Sequence, residues 1–240
     1  MPLNVILLKH TPQPEETVAL AAKLCYSPLG IEDLKQKNSS SDIEKFLNKI
    51  TAMGHTSVLE HATFTFGIEG ISRVTSHQLV RHRIASYSQQ SQRYVQEKGQ
   101  FDYIVPPTVA DNEKAKEAFD KMMRECQKLY DDLVACGVAV EDARYVLPNA
   151  CETKIVVTMN ARELHHFFTL RCCMRAQWEI RQMAMLMLER VKAVAPLLFQ
   201  KCGPNCLTKP CPEGQLSCGK QAEIKRLFTE MDERLRVAGL

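Results

Sequence analysis

CETKIVVTMNARELHHFFTLR, residues 151–171, is the stretch on which the fold class turns. Residues 151–160 are rich enough in β-branched side chains to predict a strand. Asn160 and Glu163 then form a cap pair for a helix whose apolar face carries Leu164, Phe167 and Phe168. A strand thus passes directly into a helix. Working outward, the alternation in HATFTFGIEG predicts a strand over about 61–68, and Phe101–Val105, ended by Pro106-Pro107, predicts a shorter one. Helices are predicted over 15–26, and from a Ser41–Glu44 capping box to Gly54. A long helix runs from Asn112 to Gly137 on the stripe Ala115, Phe119, Met122, Cys126, Leu129, Leu133 and Cys136. Another carries Ile180, Met183, Ala184, Met187, Leu188, Val191 and Val194 up to Pro196, its methionines read as core filler. Few strands, many helices and no regular βαβ alternation imply a single α+β domain, a central, mostly antiparallel sheet flanked by helices. The Cys-, Gly- and Pro-rich stretch 200–220 breaks the periodicity before a charged helix near 220–236, so residues 1–199 read as the main domain and 200–240 as an appendage.

The 240 residues suffice for a substantial core without disulfides or metals. A net charge of +3 gives no bulk argument for nucleic acid or membrane partners. The opening MPLNVILLKH holds only a four-residue apolar run, too short for an export signal, and no window approaches a membrane span. A cytoplasmic location and mostly reduced thiols among the ten cysteines are the expectation.

Chemistry concentrates between Glu69 and Glu97, where no acidic residue occurs but Arg73, His77, Arg81, His82, Arg83 and Arg93 do. RHRIASYSQQSQRY (81–94) sets these cations beside Ser86, Ser88, Gln89, Gln90 and Ser91, a mixture suited to a phosphate and a polar heterocycle. A solvated basic loop is the plain reading, and nucleic-acid binding with Tyr87 and Tyr94 as stacking platforms is another. Arg171 falls on the core-facing stripe of the helix that starts after Asn160, seven positions beyond Leu164. Turned inward, it needs a carboxylate, as in a structural ion pair, or a polar ligand.

Arg81-His82-Arg83 followed after seven residues by Ser91 resembles the signature of the flavin-dependent thymidylate synthases. GHTSVLEHATFTF (54–66), VEDARYVLP (140–148) and NARELHHFFTLRCCMRAQWEIR (160–181) are similar to further blocks of that family, in family order. The resemblance implies reductive methylation of dUMP to dTMP, with 5,10-methylenetetrahydrofolate as carbon donor and NADPH reducing FAD. It implies FAD contacts at His55, Ser57, Arg81, His82, Arg83, Gln89, Asn160, Arg162 and His166. It implies dUMP contacts at Gln78, Arg81, Gln89, Gln90, Ser91, Gln92, Arg93, Arg144 and Arg171, with Gln78 one turn before Arg81 on a shared face. Arg171 is the residue that favours the N3-ionised uracil. Ser91 is the second catalytic candidate, although the sequence offers no base to activate it, so its hydroxyl reads as a nucleotide ligand. The family builds its sites in a homotetramer. Gln89 stands where some members have a glutamate, and a neutral amide can neither accept a charge-assisted bond nor serve as a base.

Cys202, Cys206, Cys211 and Cys218 lie outside these blocks at spacings that allow a Zn²⁺ site, reduced thiols or a redox disulfide. Pro210-Cys211 matches the nucleophile of the flavin-free thymidylate synthases only superficially, with no supporting block around it. The non-enzymatic alternative is a basic nucleic-acid-binding module with a zinc-binding appendage.

Overall fold

In the computed structural model, which describes residues 2–36 and 40–239, the chain opens with β1 (Asn4–His10), α1 (Pro14–Leu24), α2 (Ile31–Gln36) and α3 (Ser40–Ala52). It continues through β2 (Thr63–Ser72), α4 (Arg73–Leu79), β3 (Ala85–Gln89), α5 (Pro107–Ala110), α6 (Glu113–Ala135) and α7 (Val140–Ala143). It closes with β4 (Glu152–Asn160), α8 (Ala161–Arg171), α9 (Trp178–Val194), α10 (Pro196–Phe199) and α11 (Gln221–Val237). The strands form one sheet in the order β1-β2-β4-β3. Asn4 donates to Glu69 at 2.9 Å while the Thr11 N–H reaches the Thr63 carbonyl at 3.0 Å, so β1 and β2 are antiparallel. Thr65 meets Thr158 at 2.9 Å and the Gly70 N–H meets Glu152 at 2.8 Å, which makes β2 and β4 antiparallel as well. The fold is α+β, as the strand-to-helix passage and the helix count imply. Two compact units interleave along it. The first holds Ile68–Arg81, Tyr87–Val156 and the chain start through Asn4; the second holds Val5–Gly67, His82–Ser86 and everything from Val157.

The second unit is organised by α8. Asn160 is extended, and its side-chain oxygen accepts from the Glu163 N–H at 2.9 Å, the predicted cap. Leu164, Phe167 and Phe168 are fully buried, with ring contacts linking Phe167 to Phe168, and Phe168 and Phe64 to Phe199. Each such burial stabilises by about 1.5–3 kcal/mol. Along α9, Ile180, Met183, Ala184, Met187, Leu188 and Val191 are buried, so the methionines are core. Residues beyond 200 also belong to this unit: α11 buries Ile224, Phe228 and Met231, and Lys192, itself buried, pairs with Asp232 at 2.6 Å.

In the first unit α6 is capped by Asn112, but its buried face differs from the predicted stripe. Met123, Gln127 and Tyr130 are buried, while Met122 and Leu129 are 58% and 48% exposed. Gln127 turns inward because the irregular chain opposite it needs hydrogen bonds. Its side-chain oxygen accepts from the Phe101 N–H at 2.9 Å, its amide nitrogen donates to the Glu97 carbonyl at 3.3 Å, and the Tyr130 hydroxyl accepts from the Glu97 N–H at 3.4 Å. An aliphatic stripe could satisfy none of these. The same contacts explain why Phe101–Val105 is no strand. Only Tyr103 makes a bridge, to Cys151, and the Phe101 N–H is spent on Gln127.

Two strands and several short helices, α2, α4, α5 and α10, lie outside the predicted elements. β1 grows from the apolar run weighed only as a targeting signal, β3 (ASYSQ) is too polar to show as a strand, and α4 is announced only by its Ser72 cap. β2 starts and ends later than predicted, at Thr63 and Ser72. It passes through Gly70 at φ 70°, where a Cβ would stand 2.3 Å from the Pro2 carbonyl oxygen. α3 is present and ends before Gly54, which takes φ 78°, but the Ser41 side chain of the proposed capping box lies outside the described residues. Among the described residues no helix is long and apolar enough to cross a membrane.

Candidate active site

In the first unit the predicted nucleotide segment follows β3. Arg73, half-buried at the start of α4, donates to the Gln90 carbonyl at 2.9 Å, while its Nε is buried without a hydrogen-bond partner. Burial pushes the Arg73 pKa below the usual guanidinium value, and nearby Arg144 pushes the same way. The Ser91 hydroxyl accepts from the Arg93 N–H at 3.1 Å, which turns the loop after Gln90. Arg93 pairs with the Glu141 carboxylate at 2.7 Å, and Arg144 Nε donates to the Glu141 carbonyl at 3.0 Å. Two of the implied dUMP contacts, Arg93 and Arg144, therefore share one tether at Glu141. Gln92 is part-buried and Arg81 is exposed.

Two expectations change here. Gln89 directs its amide nitrogen inward, to the Ser76 and Thr153 hydroxyls, each at 3.1 Å, so this nitrogen fastens β3 to α4 and β4 rather than facing a ligand. Gln78 lies on α4, which ends at Leu79, whereas Arg81 falls in the turn beyond, so the two share no helical face. The Tyr87 hydroxyl donates to the Leu79 carbonyl at 2.9 Å, which anchors its ring edge to the end of α4.

The second unit contains a buried polar cluster. His82 Nδ1 lies 3.0 Å from Glu163, and Arg171 Nε donates to His82 Nε2 at 3.1 Å. Arg171 is thus held by an imidazole, an arrangement the sequence could not specify. His166 stands edge-on to His82 at 5.7 Å and Phe167 at 4.9 Å. Burial, the largest cause, pushes the His82 pKa down; the Glu163 hydrogen bond pushes it up and the Arg171 charge pushes it down. His82, Glu163 and His166 bring ligand atoms within 4.8 Å of one another, a metal-like spacing. Both His82 nitrogens are already engaged, however, and the Arg171 cation occupies the imidazole lone pair a metal would need.

Around the 3₁₀ turn after Gly54, a pocket of about 340 Å³ is lined by Tyr26, Gly54, His55, Ser57 and Arg162 among others. Tyr26 bonds His55 at 2.6 Å, and Arg162 pairs with Glu60. His55, Ser57 and Arg162 are brought together as the resemblance implies. Asn160 serves as helix cap, Arg83 is exposed, and His166 stands edge-on to His82.

A second pocket, of about 350 Å³, is lined by Arg171, Cys173, Arg175, Asn205, Cys206 and Cys211. Arg175 ties the segment after Pro204 in place through Glu213 and the Leu216 carbonyl. The four late cysteines do not form one ligand set. Cys202 is buried with Cys172 and Lys192 as electrostatic neighbours, whereas Cys206 has Cys173, Cys211 and Cys218 as its neighbours, Cys173 and Cys211 lining the same pocket. Among the described residues only the His82 cluster has metal-like spacing.

Residues 6–197 match the family described as thymidylate synthase complementing protein. A flavin-dependent thymidylate synthase of Geobacter sulfurreducens is 63% identical over 95% of this chain and 99% of its own. The chain belongs to the flavin-dependent thymidylate synthase family. A second family member, from Clostridium tetani, is 52% identical over 95% of this chain and 98% of its own, and one from Pyrococcus furiosus is 46% identical over 89% and 91%. A UMP/dUMP methylase, PolB from Streptomyces cacaoi, solved with 5-Br dUMP bound, shares the fold at a TM-score of 0.72 and 24% identity, covering 82% of this chain and 93% of its own. The family match ends at 197, so the Cys206–Cys211 wall lies beyond it, although alignments with whole relatives extend further.

Proposed function

We propose that the protein methylates dUMP at C5 to give dTMP, taking the carbon from 5,10-methylenetetrahydrofolate and the reducing equivalents from NADPH through FAD. Family membership supports the flavin-dependent thymidylate synthase activity, and the fold neighbour's 5-Br dUMP supports the nucleotide. The observation that carries the reading is Arg171, whose Nε is held by a buried imidazole while the guanidinium keeps its charge. A guanidinium beside uracil favours the N3-ionised ring, which raises the electron density at C5.

The segment from Gln90 to Arg93 receives the nucleotide. Arg93 and Arg144, tethered at Glu141, and the orphaned Arg73 Nε offer donors to its phosphate. Ser91 orients the nucleotide through its hydroxyl and turns the loop by accepting the Arg93 N–H. No base touches it. Around the Gly54 pocket, an imidazole, a hydroxyl and a guanidinium form a donor set that fits a phosphate-bearing cofactor, so His55, Ser57 and Arg162 would hold FAD. FAD, when bound, supplies a hydride to reduce the transferred one-carbon unit. The protein's own part is positioning and electrostatics. We assign the chemistry to residues 1–199 and treat 200–240 as an appendage packed on α9. Assembly as a homotetramer in the cytoplasm completes the reading.

The test is NADPH oxidation with and without dUMP and methylenetetrahydrofolate, scoring dTMP. Formation of dTMP dependent on all three and on added FAD is expected. A protein that binds no flavin at micromolar concentration would overturn the reading in favour of a non-enzymatic basic module.

A further inference from the structure

We propose that Glu163 is a positioning residue for Arg171, acting through His82: its carboxylate fixes the imidazole as the Nδ1–H tautomer, and Nε2 then accepts the Arg171 Nε–H and holds the guanidinium in place. The inference rests on the reading that Arg171 polarises the uracil, and it gives Glu163 a role beyond its place beside the Asn160 helix cap.

Proton bookkeeping carries it. A neutral imidazole has one donor and one acceptor nitrogen, an ionised carboxylate can only accept, and a guanidinium can only donate. Glu163 at 3.0 Å therefore requires the proton on Nδ1, and Arg171 at 3.1 Å requires the lone pair on Nε2. The two demands agree, and only one tautomer meets both. A proton on Nε2 would set two donors face to face, so the doubly protonated imidazolium is excluded from the relay. The chain of three is packed against rearrangement. His82 and Glu163 are 5% and 7% exposed, and the Phe167 ring lies edge-on to the imidazole. Both ends stand on one helix. Glu163 occupies the first turn of α8, its N–H capped by Asn160, and Arg171 is the last residue. The rise between them is roughly 12 Å, a distance bridged by a carboxylate, an imidazole and an arginine stem in series.

Among the described residues, the ionisable groups facing His82 include Glu163, Arg171 and His166. Burial lowers its pKa, which keeps the ring neutral and the lone pair available at physiological pH; Glu163 opposes that shift. Removing the carboxylate should therefore lower the His82 pKa further and move the acid limb of turnover to lower pH.

The experiment compares Glu163→Gln, Glu163→Leu and Arg171→Ala in flavin-loaded protein, with ¹⁵N-histidine solid-state NMR of the unloaded protein as a second readout and His82→Asn to assign the signal. Losing a hydrogen bond to a charged group corresponds to about a ten- to hundredfold loss. Glu163→Leu should lose that much in kcat, with KM for dUMP changed only a few-fold and flavin retained. Glu163→Gln still offers a carbonyl to the Nδ1–H, so it should recover most of the rate while its acid limb moves to lower pH. The wild-type spectrum should show His82 protonated at Nδ1, and the Leu variant should shift toward Nε2–H. If Glu163→Leu keeps the wild-type kcat while Arg171→Ala is inactive, the relay is wrong and the reading of Arg171 stands. If Arg171→Ala turns over normally, the parent reading is wrong. Should Glu163→Leu fail to fold, a wild-type Nε2–H tautomer, or an unmoved acid limb in Glu163→Gln, overturns the relay by itself.

Discussion

Replacing Gln89 with Glu should destabilise the protein at neutral pH and spare it in acid. Gln89 is part-buried, and its amide nitrogen donates to Ser76 and Thr153, both buried, each at 3.1 Å. Glutamate presents oxygen where that nitrogen stands. Thr153 can rotate its hydroxyl to donate and recover one contact. Ser76 cannot, because its proton is already given to the Arg73 carbonyl at 3.0 Å. One oxygen pair thus faces without a hydrogen, beside groups withdrawn from water, which costs about 1–3 kcal/mol. For a chain of this length that is roughly 2–12 °C in Tm. The introduced carboxyl should have a folded pKa above the unfolded value of about 4.3, since protonation restores a donor toward Ser76. A raised folded pKa means stability present at low pH and lost as pH rises through it. The Tm deficit of Gln89→Glu should therefore be full at pH 8 and shrink toward pH 5. Calorimetric melts of both proteins across that range measure it. An equal Tm at pH 8, or a deficit that grows in acid, refutes the structural account of Gln89. Unchanged melts with abolished dUMP binding would return the residue to the ligand.

Ser91→Ala should weaken dUMP binding about ten- to hundredfold yet form dTMP at saturating nucleotide; no turnover with flavin bound, or a trapped serine–nucleotide adduct, would make Ser91 a nucleophile. Alkylation at pH 8 followed by mass spectrometry should mark Cys25, Cys136 and Cys218, which are exposed. It should spare Cys151, whose thiol burial pushes to about 12, and buried Cys172 and Cys202 until the protein unfolds. Cys206→Ser with Cys211→Ser should retain dTMP formation, because both positions lie beyond the matched family region; loss of activity in a folded, flavin-loaded variant would tie that pocket wall to the chemistry.

What could be read without coordinates was local. The Asn160 cap, the α8 stripe and the α9 period are interactions between residues three or four apart, and they hold whatever surrounds them. The Arg81–Ser91 signature and the inward aim of Arg171 are equally short-range facts. What the structure alone decided depends on partners brought together by the sheet. Gln127 and Tyr130 displace Met122 and Leu129 from the α6 core because the distant backbone at Glu97 and Phe101 needs hydrogen bonds. Polar β3 is a strand because β4 offers it a ladder, not because ASYSQ prefers one. Arg171 announced that it needed a partner, but that the partner is His82, fixed in turn by Glu163 81 residues further on, follows only from the tertiary fold. A buried polar group must be satisfied, a requirement that is visible in a sequence; which group satisfies it is settled by packing.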